Sequence, residues 1–136
     1  MFGLKWLVDR EVLPSNRLEE YYASYVAGIF RTLRFGTGEA HGRAQMMEFN
    51  YLSQERAIIR DPATGRYVID YVRMPTALER VAKELLEIEA MGDRGRAENW
   101  FKRYESMPEH LKSALEDTQD IPVDVDPVFS FPDRVE

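Results

Sequence analysis

Apolar residues recur at helical spacing along most of this chain. Phe2 and Trp6 lie one turn apart and predict a short first helix that stops before Pro14. A second, longer helix is predicted from Asn16, which has a glutamate three positions later as in a capping box, to about Phe35. Its apolar surface is wider than the stripe of an ordinary surface helix, which places it near the centre of the fold.

The Gly-Thr-Gly sequence at residues 36–38 breaks the second helix, and a third helix is predicted from Glu39 to about Leu52. Residues 57–60 and 66–71 are short β-branched and aromatic runs. Because the sequence DPATG between them is typical of a turn, the two runs predict a β-hairpin.

The helical pattern returns at Pro75 and is stopped by Gly92. Asp93 can cap a further helix, and Pro108 suits the first turn of a last one. From there, three prolines and alternating apolar residues predict an extended tail over 121–136. The expected fold is therefore mainly α: one helical domain with a small β-hairpin and an extended C-terminal tail.

Composition narrows the classes of function. The 18 basic and 24 acidic residues give a net charge of −6, which would repel nucleic-acid phosphates and anionic membrane surfaces. No apolar run approaches the roughly 20 residues that span a bilayer. The first residues lack the zones of a signal peptide, so we expect a cytoplasmic protein that binds neither nucleic acid nor membrane.

Residues for common catalytic sites are scarce. There are no cysteines, and the two histidines, His41 and His110, lie far apart in unrelated contexts. This favours two independent polar residues over two ligands of one metal. The chain also lacks an HExxH-type zinc motif and a GxSxG nucleophile motif. A self-sufficient metal enzyme or serine hydrolase is therefore not expected.

One dense group of polar residues occurs at the start of the third helix: Glu39, His41, Arg43 and Gln45. Backbone amides at a helix start favour anions, so His41 and Arg43 would be well placed to hold a carboxylate or a developing oxyanion. The alternative is structural, because Glu39 and Arg43 have the i,i+4 spacing of an ion pair and a single helical histidine is commonly a hydrogen-bonded structural residue. The residues alone leave both interpretations open.

Five segments resemble the C-terminal part of the dipeptidyl peptidase III family of zinc metallopeptidases, especially its bacterial branch and the related region of plant nudix-fused proteins. They are FGLKWLVDREVLP, YVAGIFRTLRFGTGEAHGRAQMMEFNYL, DPATGRYVIDY, LLEIEAMGD and DIPVDVDPVF. Together they extend from Phe2 to Phe129, and the second segment is the most specific.

The resemblance implies part of a helical upper lobe, which in the family holds zinc through HExxGH-type and EExxAD-type motifs. Neither motif occurs here. The resemblance therefore implies no metal ligand and no cofactor in this chain, and zinc in a full-length parent whose motifs precede Met1. His41 matches a family histidine that helps bind substrate and stabilise the tetrahedral intermediate, with Glu39, Arg43 and Gln45 as candidate substrate-binding neighbours. The family has an arginine one helical turn after that histidine, and this chain departs from the pattern with Gln45.

The leading interpretation is that residues 1–136 form the C-terminal segment of a larger zinc hydrolase. Alone the segment would be catalytically silent, and in the parent it would contribute His41 to the cleft that binds a peptide substrate. The expected partner is the remainder of that hydrolase, or a second copy of the chain bound through the apolar N-terminus around Trp6. The alternative is a non-catalytic helical interaction module derived from the same family.

Overall fold

A computed structural model describes residues 1–122 of the chain, and within them it contains six α-helices and one two-stranded antiparallel sheet. The mainly α fold with a β-hairpin is therefore confirmed. The elements in chain order are α1 (Phe2–Asp9), α2 (Leu18–Leu33), α3 (Ala40–Gln54), β1 (Ile58–Arg60), β2 (Tyr67–Ile69), α4 (Met74–Met91), α5 (Arg94–Tyr104) and α6 (Glu109–Glu116). The tail predicted at 121–136 lies, except for its first two residues, outside the described part. No helix within the described part is long and apolar enough to cross a membrane.

Local sequence signals set the ends of α4 and α5 as predicted. Pro75 lies in the first turn of α4, and Gly92 ends that helix with a left-handed φ of 59°, which glycine tolerates best. Asp93 then caps α5, because its Oδ1 accepts a hydrogen bond from the Arg96 amide at 2.9 Å. The two helices therefore meet at a corner formed by Gly92 and Asp93.

The start of α2 differs from the prediction. Residues Ser15–Arg17 wind as a 3-10 turn, so Asn16 lies inside that turn and not at the helix start. The longer helix begins at Leu18 with no side-chain cap. The capping box predicted at Asn16 is therefore wrong.

The β-hairpin has a fixed register. Ile58 pairs with Ile69, and Arg60 pairs with Tyr67. Directly opposed residues in an antiparallel pair project from the same face of the sheet. Ile58 is buried, so this face points toward the core and carries Arg60 and Tyr67 with it at the turn end.

Asp61 organises the hairpin turn. Its carboxylate accepts hydrogen bonds from the Thr64 hydroxyl at 2.7 Å and from the Ala63 amide at 2.9 Å. These bonds hold the pKa of Asp61 below its ordinary value, and the bond from Thr64 has the largest effect. Gly65 completes the turn with a positive φ of 71°, a conformation that other residues rarely adopt.

The hydrophobic core consists of two clusters that share α3. The larger one joins α2 and α3 to the hairpin, the start of α4 and Leu111 of α6, and the smaller one joins α3 to α4 and α5. From α3, Met46, Phe49 and Leu52 enter the larger cluster, whereas Met47 and Tyr51 enter the smaller. Helix α3 therefore contributes to both clusters, and α2, which was predicted to lie near the centre of the fold, places its four buried residues in the larger one.

Candidate functional site

The predicted polar group lies at the start of α3, but the helix distributes it over two faces. Glu39 is the N-cap residue and His41 lies in the first turn. Successive residues of an α-helix are turned by about 100°, so His41 and Gln45 share one face while Arg43 projects from a nearly opposite one. Glu39 precedes the helix with an extended backbone.

Neither structural alternative for these residues finds support in the part of the chain that the structure describes. No ion pair joins Glu39 to Arg43 there, and both side chains are exposed. His41 is also exposed, and no hydrogen bond within residues 1–122 holds its imidazole. Its ring is consequently available to a ligand.

Glu48 extends the face of His41 by one more turn. The amide nitrogen Nε2 of Gln45 donates a hydrogen bond to Glu48 Oε2 at 3.0 Å. Tyr25 of α2 lies against Glu48, and burial, together with this carboxylate, raises the pKa of the Tyr25 hydroxyl. We call His41, Gln45 and Glu48 the polar row. Sequence reasoning left Glu48 out of the site, although its spacing of seven residues from His41 is a helical repeat.

A close backbone contact fixes the start of α3. Gly42 is buried, and a Cβ atom added to it would lie 2.0 Å from the carbonyl oxygen of Gly36 and 3.2 Å from the Cα of Thr37. Only glycine fits at that distance, because the obstructing atoms belong to the backbone. Gly36 itself has a positive φ of 88°. The Gly-Thr-Gly corner at residues 36–38, which we call the glycine corner, is therefore packed directly against Gly42, the residue that follows His41.

An apolar groove borders the polar row. It has a volume of about 430 Å³, and Ala44, Met47 and Glu48 of α3 form part of its wall. Phe2 lines this groove and also an adjoining one of about 540 Å³ between α1 and α4. We call the two together the N-terminal groove. Trp6, which lines the second part, is 50% exposed, so a large aromatic surface is open to solvent.

The residues present do not fit a zinc site. Zinc in proteins is held by three or four close His, Cys, Asp or Glu side chains. Within residues 1–122, no group of three or more such side chains is close enough to hold a metal ion. The zinc that the family resemblance implies therefore has no ligand set in the described part of the chain.

Comparison with known proteins gives three similar relatives. Nudix hydrolase 3 of Arabidopsis thaliana is 34% identical over 132 residues, which are 95% of this chain and 17% of that protein. The structure of DPP III from Caldithrix abyssi matches with a TM-score of 0.89 and 32% identity over 94% of this chain and 24% of that one. Dipeptidyl-peptidase III from Corallococcus sp. strain EGB matches with a TM-score of 0.84 and 26% identity over 93% of this chain and 24% of that one. No protein-family model matches the sequence.

These relatives are much longer than the matched region, since the chain spans about a quarter or less of each. Nearly all of this chain takes part in each match, so the likeness is to a segment and not to a short motif. The coverage is consistent with a C-terminal part. The chain is therefore similar, in sequence and in fold, to one segment of dipeptidyl peptidase III, which confirms the family resemblance predicted from its sequence.

Proposed function

We propose that this chain is the C-terminal segment of a dipeptidyl peptidase III-like zinc hydrolase, inactive alone, and that it contributes His41 to the substrate cleft of the parent. The observation that carries the proposal is the match to the Caldithrix abyssi structure, which includes nearly the whole of this chain but only a quarter of the larger one. A segment of that extent would contribute to a site and would not form a complete catalytic unit.

His41 would act on the carbonyl group of the substrate. A ring N–H of an exposed imidazole can donate a hydrogen bond to a carbonyl oxygen, and the bond strengthens as negative charge develops there. One such donor typically contributes about 10²- to 10³-fold to kcat. The backbone contact between Gly42 and Gly36 supports this role, because it fixes the helix start from which the imidazole projects.

Among the candidate substrate-binding neighbours, the geometry favours Gln45. It shares the face of His41, and its bond to Glu48 restrains its orientation. Arg43 projects from the other side of α3, so a substrate that touches His41 would reach it only from a different direction.

In the proposed parent, the zinc ligands would come from sequence outside residues 1–122, within which no group of three or more potential ligands is found. In the parent protein, zinc would activate water for hydrolysis. This chain would supply a hydrogen-bond donor, the polar row beside it, and a surface against which the remainder packs.

The N-terminal groove would be that surface. Phe2, Trp6 and Leu86 line it and are 43%, 50% and 60% exposed. Exposed apolar patches of this kind are typical of interfaces. The remainder of the parent hydrolase is the occupant that fits best, because the matched structures continue well beyond the segment. A dimer of this chain through the same groove is the competing outcome, and light scattering of the purified chain would reveal it.

A non-catalytic interaction module is the second candidate, and the same groove favours it. Such a module needs an apolar docking surface but no imidazole near a substrate. The two candidates differ in what the chain can restore when it is placed in a larger protein.

A chimera tests the proposal. In it, this chain replaces the matched segment of the Caldithrix abyssi protein, and zinc content and dipeptidyl peptidase turnover are measured. We expect the chimera to retain zinc and turnover, and the isolated chain to have neither. A folded chimera that holds zinc but has no turnover would favour the non-catalytic module. Stoichiometric, tightly held zinc in the isolated chain would refute the inactive-segment proposal.

A further inference from the structure

A small depression near the end of α3 is lined by basic side chains. It has a volume of about 240 Å³ and lies where α3, the hairpin and the start of α6 meet. Arg56, Arg60 and His110 line it together with Ser53 and Tyr67, and its wall includes no carboxylate side chain. We call it the basic pocket. Three potential cations around one depression are unusual in a chain whose net charge is −6.

The main chain at both arginines has a defined conformation. Arg56 follows α3 in a left-handed conformation with a φ of 59°, and its amide donates to the Ser53 carbonyl at 3.0 Å. Arg60 stands directly opposite Tyr67 in the hairpin, so their side chains share one face. At the turn, a Cβ added to Gly65 would lie 3.2 Å from Arg60 Nη2, which places the guanidinium over that glycine.

His110 is oriented by a hydrogen bond. The Tyr67 hydroxyl lies 2.6 Å from His110 Nδ1, and the two rings are 5.9 Å apart. Burial, against a smaller opposing effect of Arg60, raises the pKa of the Tyr67 hydroxyl. When that hydroxyl donates its hydrogen bond to Nδ1, the imidazole carries a proton on Nε2, and this N–H is a third donor for the basic pocket.

Some arginines elsewhere on the surface are held by ion pairs. Arg80 pairs with Glu55 at 2.7 Å, and Arg94 pairs with Glu98 at 2.8 Å. Within residues 1–122, neither Arg56 nor Arg60 has an ion pair. Guanidinium groups that share a depression repel each other, and a bound anion would remove that repulsion while accepting their hydrogen bonds.

We propose that the basic pocket binds a small oxyanion, a phosphate or a carboxylate group, through the guanidinium groups of Arg56 and Arg60 and the Nε2–H of His110. The planar guanidinium fork matches both kinds of oxyanion in geometry and charge. The volume of the pocket suits a single such group with its immediate substituent. This inference does not rest on the proposed hydrolase function.

Nuclear magnetic resonance of the two histidine rings tests the inference in the full 136-residue chain. Inorganic phosphate and citrate are titrated separately at neutral pH, with chloride at matched ionic strength as the control. His41 lies about 20 Å from the end of α3 along the helix axis, so its signals report separately on the other end of that helix. A His41→Gln variant assigns the two sets of signals.

We expect the His110 signals to shift and saturate with phosphate, with citrate, or with both, at a midpoint that the His41→Gln substitution leaves unchanged. The anion that produces the saturable shift identifies the ligand as phosphate-like or carboxylate-like. No saturable shift in either arm, or equal shifts of both histidines, would overturn the inference.

Substitutions provide the second test. Arg56→Gln and Arg60→Gln should each weaken binding by about tenfold or more, because each removes a charge-assisted interaction with the anion. Arg94→Gln, an exposed arginine on α5, is the matched control and should bind as the unchanged chain does. Undiminished affinity in both pocket variants would overturn the assignment of these residues.

Discussion

Replacement of Gly42 by alanine tests the packing of the glycine corner. The added Cβ would lie 2.0 Å from the Gly36 carbonyl oxygen, whereas the shortest comfortable carbon-to-oxygen separation is about 3.3 Å. The start of α3 must therefore move by more than about 1 Å. No flexible side chain can give way, because the nearest atoms are backbone atoms of Gly36 and Thr37.

The magnitude follows from two opposing effects. Overpacking against a fixed backbone costs about 3 kcal/mol. Alanine is better than glycine inside a helix by about 1 kcal/mol, which offsets part of that cost. We therefore expect Gly42→Ala to lower the free energy of unfolding by about 2 kcal/mol or more, which corresponds to a fall in Tm of roughly 5–10 °C.

Gly28→Ala is the matched control. Gly28 lies within α2, and a Cβ added there would meet nothing within 4 Å. Only the gain in helix propensity remains, so this variant should be more stable by about 0.5–1 kcal/mol. Urea unfolding followed by circular dichroism measures both variants. The reasoning is refuted if Gly42→Ala is as stable as the unchanged chain, or if Gly28→Ala loses as much stability.

Three further predictions concern the fold. Asp93→Ala removes the cap of α5 and should lower the free energy of unfolding by about 1 kcal/mol in urea unfolding; no loss would contradict the cap. Leu111→Ala should cost about 2–5 kcal/mol because Leu111 is fully buried and joins α6 to the core, whereas the exposed Leu86→Ala should cost much less in the same assay. Because the pKa of Asp61 is lowered in the fold, its stabilisation of the turn is fully present above the ordinary pKa of 3.8 and is lost as pH falls through the lower folded value. The amide resonance of Ala63 should therefore shift only in that acidic range, and a shift centred above pH 4 would contradict the bond.

Sequence reasoning predicted the elements whose signals are local. The ends of α4 and α5 are set by the backbone and side-chain chemistry of Pro75, Gly92 and Asp93. Because these effects are local, they can be predicted from the sequence. The capping box predicted at Asn16 failed because residues Ser15–Arg17 wind as a 3-10 turn, a conformation that asparagine also suits.

The candidate site was predictable only in part. The rotation of 100° per residue separates His41 from Arg43 and places Gln45 and Glu48 on the face of His41, so spacing alone predicts this grouping. The contact that requires glycine at position 42 could not, because it depends on how the corner folds back on α3. The basic pocket could not be predicted from local sequence either, since His110 and Arg56 line one depression only when α6 packs against the hairpin.

Substitution of His41 in the chimera with the Caldithrix abyssi protein tests the central claim most directly. Steady-state kinetics and zinc content are measured for His41→Ala, with Lys102→Ala, an exposed residue of α5, as the control. We predict that His41→Ala lowers kcat by about 10²-fold while zinc remains bound, because the donor to the developing oxyanion is removed and no metal ligand is touched. Unchanged turnover in His41→Ala, with Lys102→Ala equally active, would contradict the account.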